Sequence, residues 1–222
     1  MADIFNEIDE ELRNEQIRKL WDRYGVLVLA AAVAIVVVVA GWRGYEYWRT
    51  IQSRAQGDVF TAATRLARGG DLDGAAEKLR GLAETGSGGY PTLSALRAAG
   101  ILADKGEEAA AIAAFDAIAA KPATPPVLAD VARVRAAYLA LDLEDRPAVE
   151  ARAAPLALAG KPFRHSAREI LAVAAWKAGD AAATTKWIES VEADPETPRD
   201  LADRIAVLSA LVRGSTATGK AE

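Results

Sequence analysis

The sequence predicts an all-α protein in which a single N-terminal transmembrane helix precedes a solenoid of helix–turn–helix repeats. Residues 24–42 form a long, uncharged apolar run, which is typical of a membrane span. The rest of the chain is rich in alanine and poor in β-branched runs, a composition that favours helices. Turn-forming residues recur there at a nearly constant interval, as repeated helix pairs require. The predicted parts are an acidic N-terminal segment (1–23), the span (24–42), the repeat domain (43–213) and a disordered tail (214–222).

The N-terminal segment, residues 1–23, carries seven acidic and four basic side chains. Its apolar residues recur along one side of a helix. These residues are Ile4, Ile8, Leu12, Ile17 and Leu20, followed by Tyr24 at the start of the span. Two interpretations stay open: the helix binds a partner through that side, or it is a short surface helix that leads into the span. We favour the second, because its basic residues lie nearest the lipid.

The predicted span, residues 24–42, has the length and the flanks of a membrane helix. Its 17 residues from Gly25 to Gly41 make about 25 Å of helix. Aromatic rings, which favour the headgroup layer, lie at both ends. They belong to Trp21, Tyr24, Trp42, Tyr45, Tyr47 and Trp48. Residues 38–40 are small enough for a signal cleavage site, but a signal peptide begins with a short basic segment, whereas 1–23 is acidic. The sequence therefore favours an uncleaved anchor over a cleaved signal or the core helix of a soluble protein.

The orientation of the span is not decided by charge. Four basic residues precede it and three follow it closely, a difference too small to fix the cytoplasmic side. Because a long polar domain can be translocated regardless of its charge, a position outside the cytoplasm has a slight lead for the C-terminal domain.

The repeat domain shows two interleaved sets of turn signals. The first set begins at Gly70, Gly106, Glu144 and Gly179. The second set lies at Gly86, Pro122, Gly160 and Pro195. In both sets the separations are 36, 38 and 35 residues, and two interleaved breaks at one period predict a repeated helix–turn–helix. The helix of the span is expected to continue after Trp48 into the first unit, as a stiff stalk.

A period in the middle thirties resembles the tetratricopeptide repeat. In its second helix, a small residue where two helices cross closely is followed four residues later by a large one. The pairs that match are Ala75/Leu79, Ala111/Phe115 and Ala183/Trp187. The third unit departs from the pattern, because Pro155 falls in its second helix. The closing helix carries one apolar stripe and a polar opposite side, as a terminal cap needs; the stripe is Leu201, Ile205, Leu208 and Val212.

Taken together, the N-terminal helix, the span and the repeat units resemble a more specific family than the tetratricopeptide repeat alone. The helix ending in KLWDRYG, the single span, the sequence GWRGYEYW at its exit and the degenerate tetratricopeptide-like units resemble the YfgM family in its alphaproteobacterial form, an ancillary subunit of the bacterial Sec translocon. The resemblance implies an inner-membrane protein with a cytoplasmic N-terminus and a periplasmic repeat domain. It also implies the partners: Sec translocon subunits, a membrane-anchored periplasmic prolyl-isomerase-like chaperone and the lipid bilayer.

The composition argues against catalysis and against several ligand classes. Cysteine is absent and His165 is the only histidine, so thiolate chemistry and the usual zinc sites are excluded. A lone histidine near a helix start is more often a solvated or capping residue than a base. The pairs Asp71/Asp73 and Asp194/Glu196 fall at helix ends, where carboxylates cap free amides. A net charge of −4 without a basic patch makes nucleic acid an unexpected partner, and we expect no enzyme activity, metal, cofactor or small-molecule substrate.

The remaining chemistry is recognition by a concave groove. In tetratricopeptide arrays the first helix of each unit lines this groove, and the resemblance transfers that role to equivalent positions of this sequence. The candidate groove residues are Leu93, Leu96, Asp104, Arg133, His165, Arg168 and Trp176. For Trp176 a place in the core is the favoured alternative.

These observations predict a non-enzymatic, membrane-anchored adapter that links the Sec translocon to periplasmic chaperones and assists the handling of translocated proteins. Two alternatives stay open. One is a homo-oligomeric scaffold of the cell envelope, and the other is a repeat scaffold of opposite, cytoplasmic topology.

Overall fold

The structure is a computed structural model that describes the backbone of residues 2–218 and, within it, the side chains of residues 21 and 23–214. The described residues form nine α-helices, one 3-10 turn and no strand. The helices are α1 (Ala2–Arg68), α2 (Leu72–Thr85), α3 (Tyr90–Asp104), α4 (Glu108–Ala120), α5 (Pro126–Leu143), α6 (Arg146–Ala153), α7 (Arg164–Lys177), α8 (Ala181–Glu192) and α9 (Arg199–Thr218), and the 3-10 turn is Ala154–Leu156. The all-α fold class is confirmed.

The chain divides into two compact units, Met1–Ala55 and Gln56–Glu222. In the first unit the backbone is helical from Ala2 onward. The described part of the chain contains one helix, Arg23–Arg68, that is long and apolar enough to cross a membrane. Its most apolar 18-residue window has a mean hydropathy of 2.7 and is 6% buried. Since these apolar side chains lie exposed, the segment does not behave as the core helix of a soluble protein. The apolar side predicted for residues 4–20 lies outside the described side chains.

The second unit consists of four helix pairs and a closing helix. Helix α1 continues unbroken past Trp48 to Arg68, as predicted, and its last part pairs with α2. The other pairs are α3/α4, α5/α6 and α7/α8. The turns inside the pairs and between them fall at the predicted breaks, and the glycines at four of these breaks adopt a positive φ that other residues avoid: Gly70, Gly106, Gly160 and Gly179.

Aspartates begin three of the second helices. The side chains of Asp71, Asp145 and Asp180 each accept a hydrogen bond from the backbone N–H three residues later, which satisfies one of the free amides at a helix start. The capping role predicted for Asp71 is therefore confirmed, whereas Asp73 forms an ion pair with Lys105 at 3.0 Å.

The second helices of the four units share one register. The fifth and the ninth residue after the start of each turn are buried in every unit; the pairs are Ala75/Leu79, Ala111/Phe115, Val149/Ala153 and Thr184/Ile188. The prediction of Ala183 and Trp187 for the last unit is therefore wrong by one residue. Ala183 is only half-buried, and Trp187 packs at the edge of two core clusters.

The third unit is irregular where Pro155 predicted it. Helix α6 has eight residues and passes into the 3-10 turn that contains Pro155. Its two arginines still form ion pairs with the neighbouring repeat units: Arg152 pairs with Asp116 at 2.7 Å, and Arg146 pairs with Asp180 at 2.9 Å.

The closing helix α9 packs through the predicted stripe. Leu201, Ile205, Leu208 and Val212 are all buried and form one cluster with α7 and α8. The helical backbone extends to Thr218, beyond the predicted domain end at Arg213, instead of the disorder expected from Gly214. The rest of the predicted tail, residues 219–222, lies outside the described residues.

Candidate partner-binding cavity

A cavity of about 610 Å³ opens among the first helices of successive repeat units. Its walls come from α3, α5 and the beginning of α7, and Phe115 of α4 also contributes to its lining. This volume lies within the range of small-ligand and side-chain pockets in proteins. The lining residues are Arg97, Gly100, Ala103, Asp104, Phe115, Val131, Val134, Arg135, Tyr138, Leu139, Phe163 and Ser166.

The spacing of these residues explains why they meet. On α5 the lining positions are 131, 134, 135, 138 and 139, and on α3 they are 97, 100, 103 and 104. Intervals of three and four residues place side chains on one face of a helix. One face of each of two first helices therefore points into the cavity.

Gly100 leaves space in the wall formed by α3. A glycine inside a helix costs about 0.5–1 kcal/mol relative to alanine. A Cβ at Gly100 would meet no atom closer than Arg97 Nη1, at 3.8 Å, so neighbouring helices do not require the glycine. Its structural effect is to keep this part of the cavity open.

The lining combines an apolar interior with charged groups. Val131, Val134 and Phe163 are partly buried, and Phe115 is almost fully buried. These side chains offer contacts to an apolar group, while hydroxyl and guanidinium groups provide polar partners. Pockets of this composition bind ligands through apolar burial and use a few polar groups to fix orientation.

Two arginines and one acid carry the charge of the lining. Arg97 Nη1 lies 3.7 Å from Asp104 Oδ2, and both side chains are more than a third exposed, so the pair contributes little. Arg135 is exposed and makes no ion pair or hydrogen bond with any residue that the structure describes. The cavity therefore has a net positive lining in a chain of net charge −4.

Tyr138, one of the lining residues of the cavity, belongs to a hydrogen-bonded group with Glu169 and Arg204. The Tyr138 hydroxyl donates to Glu169 Oε2 at 2.6 Å, and Arg204 binds the same carboxylate through two nitrogens at 2.6 and 2.9 Å. Glu169 is buried. Burial and the bond to Glu169 raise the pKa of Tyr138 to about 12, so the hydroxyl stays a donor. This group joins the first helices α5 and α7 to the closing helix α9.

The predicted groove residues on α3 are only partly in the cavity. Asp104 lines it. Leu93 is 40% exposed at the beginning of α3, and Leu96 packs against the central core cluster. Neither leucine is among the lining residues.

Two further predicted residues lie outside the lining. Arg133 is on α5, two residues from Arg135, and it pairs with Asp130 at 2.8 Å. Trp176 lies at the end of α7 and is 42% exposed, so the alternative that places it in the core is wrong. The groove role of both residues stays a prediction.

His165 and Arg168 come together, but around an acid and not at the cavity. Asp194 Oδ2 accepts from Arg168 Nη1 at 3.0 Å and from Arg164 Nε at 2.7 Å, and Arg164 also binds Glu196. The hydrogen bond from Arg164, with a smaller part from the backbone N–H of Glu196, holds the pKa of Asp194 well below its ordinary range. The helix-end position predicted for Asp194 and Glu196 is correct, but Asp194 serves mainly as an ion-pair centre.

The position of His165 corrects the prediction of a solvated or capping residue. It is buried, and its Nε2 lies 3.1 Å from Asp194 Oδ2 without the alignment of a hydrogen bond. His165 therefore belongs to the group of side chains around Asp194, together with Arg164 and Arg168. Among the described residues no group of three or more histidine and acidic side chains is arranged to hold a metal ion.

The sequence prediction missed Arg97, Gly100 and Arg135. A signal for Arg135 was present, because Val131, Arg135 and Tyr138 recur at intervals of four and three residues on one helix face. The sequence does not show which arginines of the first helices form ion pairs with acidic residues elsewhere in the fold, and this information was needed to choose among them.

The sequence model of the tetratricopeptide repeat-like domain family matches residues 18–154. The matched stretch includes the apolar segment 24–42, the first three repeat units and the α3 and α5 walls of the cavity. No curated protein and no solved structure matches the chain.

Proposed function

The chain belongs to the tetratricopeptide repeat-like domain family, and we propose that it is a membrane-anchored adapter without catalytic activity. Repeat arrays of this kind are interaction scaffolds, since stacked units present an extended surface. The span holds the protein in the inner membrane, and the cavity among α3, α5 and α7 engages a segment of a partner protein.

The observation that carries the proposal is an open, mixed apolar and charged cavity on a scaffold of stacked first helices. Its polar groups are arginines, an aspartate and hydroxyls, which suit binding through ion pairs and hydrogen bonds. The one histidine lies within the Asp194 group instead. Recognition is therefore the function that this set of side chains supports best.

The anchor is supported by the exposed apolar helix and by the extent of the family match. Helix residues such as Val33 and Val38 are more than half exposed, as lipid-facing side chains are. The family match begins before the span and continues through it, so the apolar segment belongs with the repeat domain in this family.

The more specific part of the proposal follows from the resemblance to the YfgM family. In this form the span stays beside Sec translocon subunits, the N-terminus is cytoplasmic, and the periplasmic repeat domain binds a membrane-anchored prolyl-isomerase-like chaperone or an emerging chain. The adapter would then assist the handling of translocated proteins.

Site-specific photocrosslinking in intact membranes tests this proposal. A photoreactive residue at Val33 samples the surroundings of the span, and one at Val131 samples the cavity. Ala117, exposed on the second helix α4, is the matched control in the same domain. We expect translocon subunits from Val33 and a periplasmic protein from Val131, with little from Ala117.

A reporter that is active only in the periplasm, fused to the C-terminus, tests the topology. Activity of the reporter supports the proposed orientation, whereas a cytoplasmic signal would favour the scaffold of opposite topology. If Val33 trapped only a second copy of this chain and Val131 trapped nothing, the homo-oligomeric scaffold would replace the adapter.

A further inference from the structure

The guanidinium group of Arg135 is the charged group of the cavity that pairs with no acid among the described residues. It is exposed on α5 and has no ion pair or hydrogen bond within the part of the chain that the structure describes. Arg97, on the α3 side of the same cavity, has only the loose 3.7 Å contact with Asp104. A planar guanidinium binds carboxylates through two parallel hydrogen bonds.

The acids near the cavity do not cancel this charge. Glu169 already accepts three hydrogen bonds, one from Tyr138 and two from Arg204, and its negative charge is offset by the ion pair with Arg204. Asp104 is the single acidic residue among the lining residues, and two arginines share the lining with it. The cavity therefore attracts an anionic group more strongly than the chain as a whole does.

Apolar side chains adjoin the same guanidinium. Val131 lies four residues before Arg135 and Leu139 four residues after it, which places both beside Arg135 on one helix face. A ligand that contacts Arg135 therefore also contacts apolar wall. A free inorganic anion would satisfy the arginines and leave these side chains uncovered.

We propose that this cavity binds a segment of a partner polypeptide in which a carboxylate side chain adjoins a large apolar side chain. The carboxylate binds Arg135, with Arg97 as the second cation, and the apolar side chain enters the space lined by Val131, Val134 and Phe163 and left open by Gly100. This inference rests on the proposed adapter function and names the partner chemistry of the same site.

The test measures peptide binding by fluorescence anisotropy with the full chain in detergent micelles. The probe is a short labelled peptide in which aspartate alternates with phenylalanine, and the comparison peptides replace aspartate by asparagine or phenylalanine by alanine. We expect both replacements to weaken binding about tenfold or more, since either loses one part of the recognition.

Arg135→Gln should weaken binding of the aspartate peptide about tenfold. The variant should then bind the aspartate and the asparagine peptides with the same affinity. Arg80→Gln is the matched control, because Arg80 is exposed on α2 away from the cavity and should leave binding unchanged. Arg135→Glu should exchange the preference, so that a peptide carrying lysine in place of aspartate binds better.

Three outcomes would overturn this inference: equal binding of the aspartate and asparagine peptides, no effect of Arg135→Gln, or displacement of the peptide by N-acetylaspartate as effectively as by unlabelled peptide. Its failure is distinguishable from that of the adapter. If Val131 crosslinks to a periplasmic protein while the peptides show no preference for aspartate, the adapter function is supported and only the proposed specificity for an acidic segment is contradicted.

Discussion

Replacing Gly100 by alanine should stabilise the repeat domain, although the residue is buried in a helix of the core. The substitution removes the cost of a glycine in a helix interior, about 0.5–1 kcal/mol. The new methyl group would meet only the flexible end of Arg97, at 3.8 Å, which is ordinary van der Waals contact. For a unit of this size the gain corresponds to a rise in melting temperature of roughly 1–4 °C.

Thermal unfolding of the full chain in detergent, followed by far-ultraviolet circular dichroism and by tryptophan fluorescence, measures this gain. Gly81→Ala is the matched control, because Gly81 also lies inside a helix and a Cβ there meets nothing within 4 Å. Gly86→Ala should have the opposite effect, since its Cβ would lie 2.4 Å from the carbonyl oxygen of Leu82, and we expect a loss of about 1–3 kcal/mol. A lower melting temperature for Gly100→Ala, with Gly81→Ala stabilised, would show that α3 is packed tightly at this point and that no cavity exists there.

Other substitutions test the packing and the ion pairs. Arg204→Ala should lower the free energy of unfolding, measured by urea titration, by about 1–3 kcal/mol, because it removes two hydrogen bonds from the buried carboxylate of Glu169. Asp200→Ala removes only the exposed partner of that arginine. It should therefore change the free energy of unfolding by less than about 0.5 kcal/mol. Ala111→Leu should destabilise the domain by about 1–3 kcal/mol through overpacking, since Ala111 is fully buried, and an unchanged melting temperature would indicate a void beside it. Asp194→Asn should reduce the amount of stability that the protein loses in acid. Because the folded-state pKa of Asp194 is lowered, its carboxylate contributes to the free energy of unfolding above pH about 4, and this contribution is lost as the pH falls further. Urea titrations from neutral to acid pH would contradict this if both proteins lost stability in parallel.

The fold class and the repeat boundaries could be predicted from the sequence because their signals are local. Glycine at a positive φ and aspartate at a helix start each act within a few residues. The slip in the last unit has a physical cause as well. A run of alanines, residues 181–183, offers no contrast in size, so tertiary packing alone places Thr184 against the core. Trp187, the large residue that suggested the wrong register, is too big for that position and packs at its edge.

The cavity could be predicted only in outline. The tetratricopeptide-like pattern indicates that first helices line a groove, and Asp104 does line the cavity. The choice among arginines depends on acids far along the chain. Arg168 is bound by Asp194, 26 residues later, and no local sequence pattern predicts that pair. Arg133 and Arg135 are two residues apart, so they point to different sides of α5, and only the structure shows which of them faces the cavity.

The distribution of paired arginines indicates where recognition lies within the repeat domain. Toward the C-terminal end three arginines of α7 and α9 are bound by acids; these are Arg164, Arg168 and Arg204. Such pairs join α7 to the turn after α8 and to α9, so the charges there hold the end of the array together. Arg97 and Arg135, on α3 and α5, are the arginines of the cavity that internal acids leave available. Both lie inside the stretch matched by the family, residues 18–154. The charged part of the cavity lining therefore comes from the second and third units, whereas the arginine pairs at the C-terminal end hold α7, the turn after α8 and α9 together.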